Sequence, residues 1–164
     1  GILMTRFQVH GETLDVYVTH MQAGHSRAAA HARHSQVIQL NAAIAANSPD
    51  DHLVIVLGDF NMGPNRPGKP WNEYQPSHYA SQSDMESRTA AFDTLMATSR
   101  LVDASDVLFG PTLDHIERIL YRSSTRASLT PQSWRDLSGE FVDAKGKALS
   151  DSTPMVVDFE VQKI

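Results

Sequence analysis

Asp59 and Asn61 stand two residues apart, just past the apolar run Leu53-Val54-Ile55-Val56-Leu57 and its breaker Gly58. A carboxylate can take or steer a proton, and an amide can donate hydrogen bonds to an oxyanion. On an extended backbone the two side chains would project to the same side. The run is short and rich in β-branched residues, which predicts a strand buried on both faces. The end of such a strand is where α/β sheets usually carry their ligands. Taken alone, these residues suit an ordinary Asp/Asn turn equally well.

The elements that must position them follow from periodicity. Residues 4–9 alternate as a strand, His10-Gly11-Glu12-Thr13 reads as a tight hairpin turn, and residues 14–19 form a second strand closed by His20. Ser26 is a candidate N-cap for a helix over 27–46, whose face Ala30, Arg33, Val37, Leu40 and Ile44 is apolar apart from Arg33. Strand, helix and strand at this spacing make an α/β unit. Residues 62–83 read as a long surface loop carrying Trp71, Tyr74 and Tyr79, either inert or forming a rim over a site. Ser87 is expected to cap a second helix over 88–99, and Phe109-Gly110-Pro111 to turn. Three strands complete the pattern: 116–122; 127–134, weakened by Pro131 and so placed at an edge; and 154–161, with Met155, Val157, Phe159 and Val161 on one side.

A length of 164 residues predicts one domain, and 41% hydrophobic with 20% charged residues is ordinary globular composition. With no cysteine, disulfides and thiolate metal sites are excluded. No apolar stretch is long enough for a transmembrane helix. The formal charge of −5, without a Lys/Arg block, weighs against a dedicated nucleic-acid binder.

Three separated motifs line up in order: Thr19-His20-Met21-Gln22-Ala23-Gly24, Gly58-Asp59-Phe60-Asn61 and Leu149-Ser150-Asp151-Ser152-Thr153-Pro154. Together they resemble the endonuclease/exonuclease/phosphatase superfamily, the deoxyribonuclease-I-like fold; the first is most similar to the neutral-sphingomyelinase-like branch. The resemblance implies an α/β (α+β) four-layer sandwich, two packed mixed β-sheets flanked by helices. This chain, residues 1–164, would supply roughly one sheet-plus-helices half, the C-terminal half of a single domain. It implies a soluble, secreted or periplasmic hydrolase that cleaves phosphate esters with a divalent cation, usually Mg²⁺, which takes oxygen ligands. By the same resemblance Asp59 orients or deprotonates water, while Asn61 and His20 hold phosphoryl oxygens. Asp151, with Asp59, would stand near the metal. A phosphodiester substrate of phospholipase C type, with a phospholipid head group, suits the acidic balance better than nucleic acid does. An orienting acid at the head of the 116–122 strand is either Asp114, in Asp114-His115-Ile116, or Glu117, in Glu117-Arg118-Ile119.

Two departures stand out. Where the family reads Ser-Asp-His, this chain reads Ser150-Asp151-Ser152. An imidazole titrates near neutrality, whereas a serine hydroxyl takes up no proton there. With Glu117 as orienting acid, two changes fall in one dyad, as in a decaying site. With Asp114, the histidine alone is gone, as a single inactivating substitution would leave it. A catalytically impaired phosphate-binding relative is therefore a third function class, beside phosphodiesterase and nuclease. The second departure is at the front, where the early strands carrying the family's metal-binding Asn and Glu have no counterpart before His20. Alone, such a half would expose the inner face of its sheet, so an N-terminal fragment of the same domain is the expected partner. His25, His31 and His34 could suggest zinc, but a solvated helix face beside Arg27 is the simpler reading.

Overall fold

A mixed five-stranded sheet carries two long helices on one face and a two-stranded ribbon over part of the other, in a computed structural model that describes residues 1–63, 81–110 and 116–164. In chain order the strands are β1 (Ile2–Val9), β2 (Glu12–His20), β3 (Leu53–Asp59), β4 (Val102–Asp103), β5 (Glu117–Arg122), β6 (Ala127–Asp136) and β7 (Met155–Lys163). The helices are α1 (Arg27–Asn47), α2 (Gln82–Ser99) and α3 (Ala104–Phe109). The large sheet runs β1-β2-β3-β5-β4, with β2 and β3 parallel and every other pair antiparallel; β6 and β7 form the ribbon. This mixed α+β arrangement is that of a partial sandwich: helices, sheet, and a second, smaller sheet.

Local chemistry sets these boundaries. His10 and Gly11 both have positive φ, 53° and 84°, the two-residue turn that matches strand twist in a hairpin. Ser26 caps α1 by accepting from the Ala29 N–H. Its inward face is Ala29, Arg33, Val37, Leu40, Asn41 and Ile44. Val37, Leu40 and Ile44 meet Tyr17, Val54, Val56 and Leu120 of the sheet and Phe92 and Leu95 of α2 in the main core. Full burial of such side chains contributes roughly 1.5–3 kcal/mol each. The other face of β3 supplies Leu53 and Ile55 to a second cluster, closed by Leu129, Val157, Phe159 and Val161 of the ribbon. The apolar run is thus covered on both faces over Leu53–Val56, while Leu57 at its end faces the cleft.

Several expectations need correction. α2 begins six residues early: Ser81, not Ser87, accepts from the Asp84 N–H as N-cap, so Gln82 and Ser83 belong to the helix rather than the loop. Both serines precede helical sequence, and only the backbone geometry separates them. α3 was unforeseen; Asp103 caps it by accepting from Ser105 N, and six residues are too few to show a helical period. The strand expected over 127–134 is an edge strand, as expected, but runs two residues longer past Pro131. A register shift between Pro131 and Ser133 absorbs it, and β6 continues to Asp136. Trp71, Tyr74, Tyr79 and Asp114 lie outside the described residues.

One region of the sheet is open. Leu3, Val18, Leu57 and Ile119 occupy one row across β1, β2, β3 and β5. Leu3 is 64% exposed, and Phe7 of the same face 49%. Exposed neighbouring apolar side chains of this kind are a feature of interaction surfaces.

Candidate active site

The next row along this face is His20, Asp59 and Glu117, paired across β2, β3 and β5. Two of these strands end here and one begins, so three polar side chains emerge together at the sheet's edge. Gly58 makes the approach possible. Its φ is 143°, and a Cβ there would fall 1.8 Å from the Thr19 carbonyl oxygen. No other residue lets β2 and β3 come this close immediately before His20 and Asp59.

Asp59 is nearly enclosed, at 14% side-chain exposure, whereas His20 is 68% exposed; His20 Nε2 lies 3.4 Å from Asp59 Oδ2. The other carboxylate oxygen, Oδ1, accepts from the Asn61 backbone N–H at 2.8 Å. Burial pushes the Asp59 carboxyl above its ordinary range, and the charges of Glu117 and Asp151 push the same way. The Asn61 N–H and His20 oppose the shift without cancelling it. A carboxylate raised in this way is a better proton acceptor than an ordinary aspartate.

Asp59, Glu117, Ser152, Thr153 and Met155 line a cleft of about 180 Å³. Glu117 Oε1 accepts from the Thr153 backbone N–H at 3.2 Å, tying the head of β5 to the 150–153 segment. That contact sets Ser152 beside the carboxylates, and the Asp151 charge is close enough to act on Asp59. Four of the residues singled out from sequence thus border this cleft or its electrostatic surroundings: Asp59, Glu117, Asp151 and Ser152. His20 joins them through Asp59.

Asn61 does not lie as an extended backbone would place it. β3 ends at Asp59, and Asn61 has φ 51°, which turns its side chain inward. There it is 8% exposed and donates through Nδ2 to the Met21 carbonyl at 3.1 Å. The period-two argument held only as far as the strand did. Sequence reasoning also missed Arg88, whose guanidinium donates to the Asn61 carbonyl at 2.7 Å. The available signal was Asp84 and Arg88 at i, i+4, with Asp84 falling between the expected loop and the expected helix start. His25 pairs with Asp84, while His31 and His34 line a separate groove between α1 and α2.

Carboxylate oxygens are the donors that Mg²⁺ takes, and the mutual repulsion of Asp59, Glu117 and Asp151 is what a bound cation would relieve. Among the described residues, however, no group of three or more His, Asp or Glu side chains converges as a metal site.

By sequence, neither a protein-family model nor a curated protein matches the chain. By structure it aligns with a D. rerio TDP2 humanised by 14 mutations, at 17% identity and a TM-score of 0.64, covering 97% of this chain and 60% of that one. An AP endonuclease from Archaeoglobus fulgidus aligns at 14% identity and a TM-score of 0.63, covering 96% and 65%. An endonuclease/exonuclease/phosphatase from Beutenbergia cavernae aligns at 14% identity and a TM-score of 0.59, covering 98% and 39%. The fold is that of the endonuclease/exonuclease/phosphatase superfamily. The chain spans about 60% of the length of the first of these structures. Among the described residues, no helix is long and apolar enough to cross a membrane.

Proposed function

We propose that this chain is part of a hydrolase acting on phosphoric ester bonds, a phosphodiesterase of phospholipase C or sphingomyelinase type. The observation that carries this reading is Asp59: a nearly buried carboxylate, raised in pKa, beside a histidine at the mouth of a cleft. In the reaction, Asp59 takes the proton of a water that attacks phosphorus, the bond from phosphorus to the ester oxygen breaks, and the departing alkoxide takes a proton from solvent. His20, exposed and adjacent, donates to a non-bridging oxygen where charge builds. Asn61 Nδ2 uses one hydrogen on Met21 and has a second to offer the phosphoryl group. Asp151 and Asp59 would hold a divalent cation such as Mg²⁺, with the remaining ligands supplied from outside the described residues. When bound, it would offset charge on the phosphoryl oxygens. Glu117 is favoured over Asp114 as the acid facing position 152, since it bonds the next backbone N–H.

The acidic balance, −5, favours a head-group ester over nucleic acid. The open row around Leu3, Phe7 and Val18 supports a further part of the reading, in which a second sheet from an N-terminal fragment of the same domain packs on this face. Ser152 favours a second reading, a phosphate-binding relative with little turnover, because no imidazole stands beside Asp151. Release of a phosphorylated head group from sphingomyelin or a lysophospholipid, set against nicking of plasmid DNA, separates phosphodiesterase from nuclease. Neither activity, in protein that carries the upstream sequence and still binds inorganic phosphate, would favour the second reading.

A further inference from the structure

Two arginines lie buried behind the candidate site, and neither belongs to the motifs that suggest chemistry. Arg33 of α1 is 1% exposed and Arg88 of α2 is 2% exposed. A buried guanidinium needs both a counter-charge and acceptors for its fixed fork of donors. Asp84 supplies the counter-charge for both: its Oδ1 lies 3.1 Å from Arg88 Nε and 3.5 Å from Arg33 Nη2. Main-chain carbonyls of the two turns that leave β2 and β3 supply further acceptors, and His25 Nδ1 lies 2.9 Å from Arg88 Nη2. Arg33 Nη1 donates to the carbonyls of Gln22 and Gly24, each at 2.8 Å. Arg88 Nη2 donates to the Gly24 carbonyl at 2.9 Å, and Nη1 to the Asn61 carbonyl at 2.7 Å. One carboxylate on α2 thus organises two cations that grip both turns at once.

Asn61 is where such a grip matters. Its φ of 51° lies in the left-handed region, which asparagine enters more readily than other non-glycine residues but still at a small cost, so the contacts around it decide how firmly it stays there. In this conformation its N–H reaches Asp59 Oδ1 and its Nδ2 reaches the Met21 carbonyl.

We propose that Arg88 is a positioning residue: through the Asn61 carbonyl it holds Asn61 in the left-handed conformation that sets its N–H on Asp59, and through Asp84 it locks the 22–24 turn to the same frame with Arg33. The proposal rests on the reading of Asp59 and Asn61 given above, but its geometry can be tested without any assay of turnover. Amide hydrogen exchange on the full chain reads the Asn61 N–H directly, with the Val54 and Val56 amides of the same strand as internal references.

In Arg88→Met the Asn61 amide should exchange about 10–100-fold faster, while Val54 and Val56 stay within about threefold of wild type. Arg88→Lys keeps the charge but loses the fork, so it should fall between the two, and it serves if the methionine variant does not fold. In protein that hydrolyses a phosphoester, Arg88→Lys should lower kcat by up to about 10²-fold with little change in KM, the signature of misplacement rather than lost binding. An unchanged Asn61 amide in Arg88→Lys and Arg88→Met overturns the proposal. Equal acceleration at Asn61, Val54 and Val56 also overturns it, because Arg88 then acts only on global stability. If wild type hydrolyses no phosphoester, the functional reading fails, and the exchange result still decides the clamp.

Discussion

Two carboxylate–histidine pairs sit at opposite ends of the same strands, and they are built to opposite effect. Near the start of β2, Asp15 is fully buried and accepts from Arg6 Nε at 2.7 Å, Ser48 Oγ at 2.7 Å and His52 Nδ1 at 2.8 Å. Burial alone would raise its pKa, but the three donors hold it below the ordinary carboxylate range. At the other end, Asp59 has an exposed His20 at 3.4 Å, one backbone N–H and two acidic neighbours, and its pKa is raised. One carboxylate is satisfied by its surroundings and the other is left wanting charge. The first arrangement stabilises a fold; the second stores unfavourable electrostatics where a substrate or cation could relieve them.

Breaking the end where Asp59 stands should have the largest effect. Gly58→Ala drives a methyl into the Thr19 carbonyl and should cost more than about 4 kcal/mol, seen as loss of the cooperative melt. Next comes Ser152→His. An imidazole facing Asp59 and Glu117 across the cleft should raise phosphoester turnover by roughly 10²–10⁴-fold. Turnover already fast in wild type and unmoved by this change would place Ser152 away from the chemistry. Asp15→Asn should be mainly a stability mutation. Leaving the donors of Arg6, Ser48 and His52 without a carboxylate should cost about 3 kcal/mol in denaturant titration, with kcat per folded molecule unchanged.

The smallest effect is the most diagnostic, because the two pairs should differ in sign. Asp15 has a lowered pKa, so its contribution is present above the unfolded-state value and is lost as pH falls through the folded one. The melting deficit of Asp15→Asn should therefore shrink toward acid pH. Asp59 has a raised pKa, so the wild-type fold loses stability as pH rises from the ordinary aspartate range to the raised value. Asp59→Asn should melt higher than wild type at neutral pH, and that gain should vanish in acid. Melting curves of both variants from about pH 3 to 8 would show the two trends, and trends of one sign would remove the contrast.

Much of this was legible in the sequence, and the exceptions share a cause. β1, β2, β3 and α1 follow from period-two and period-3.6 patterns with strong turn and cap residues, because burial on defined faces dictates them. The convergence of His20 and Asp59 followed from motif order and from where their strands end. Asn61 turned inward because the strand stopped at Asp59, two residues too soon for alternation to reach it. Arg33 looked like a flaw on an apolar face and is instead a buried clamp. Asp84 and Arg88 carried no pattern until the true start of α2 was known. Long-range polar networks leave little periodic trace, since each member is chosen for a partner distant in sequence.

The central claim is that Asp59 is held in a state costly to the fold because the site uses it. The direct measurement pairs turnover with stability for Asp59→Asn at neutral pH, on a phosphodiester substrate. The account predicts a loss of about 10²–10⁴-fold in kcat together with a melting temperature at or above that of wild type. Undiminished turnover, or a variant that melts well below wild type, would contradict it.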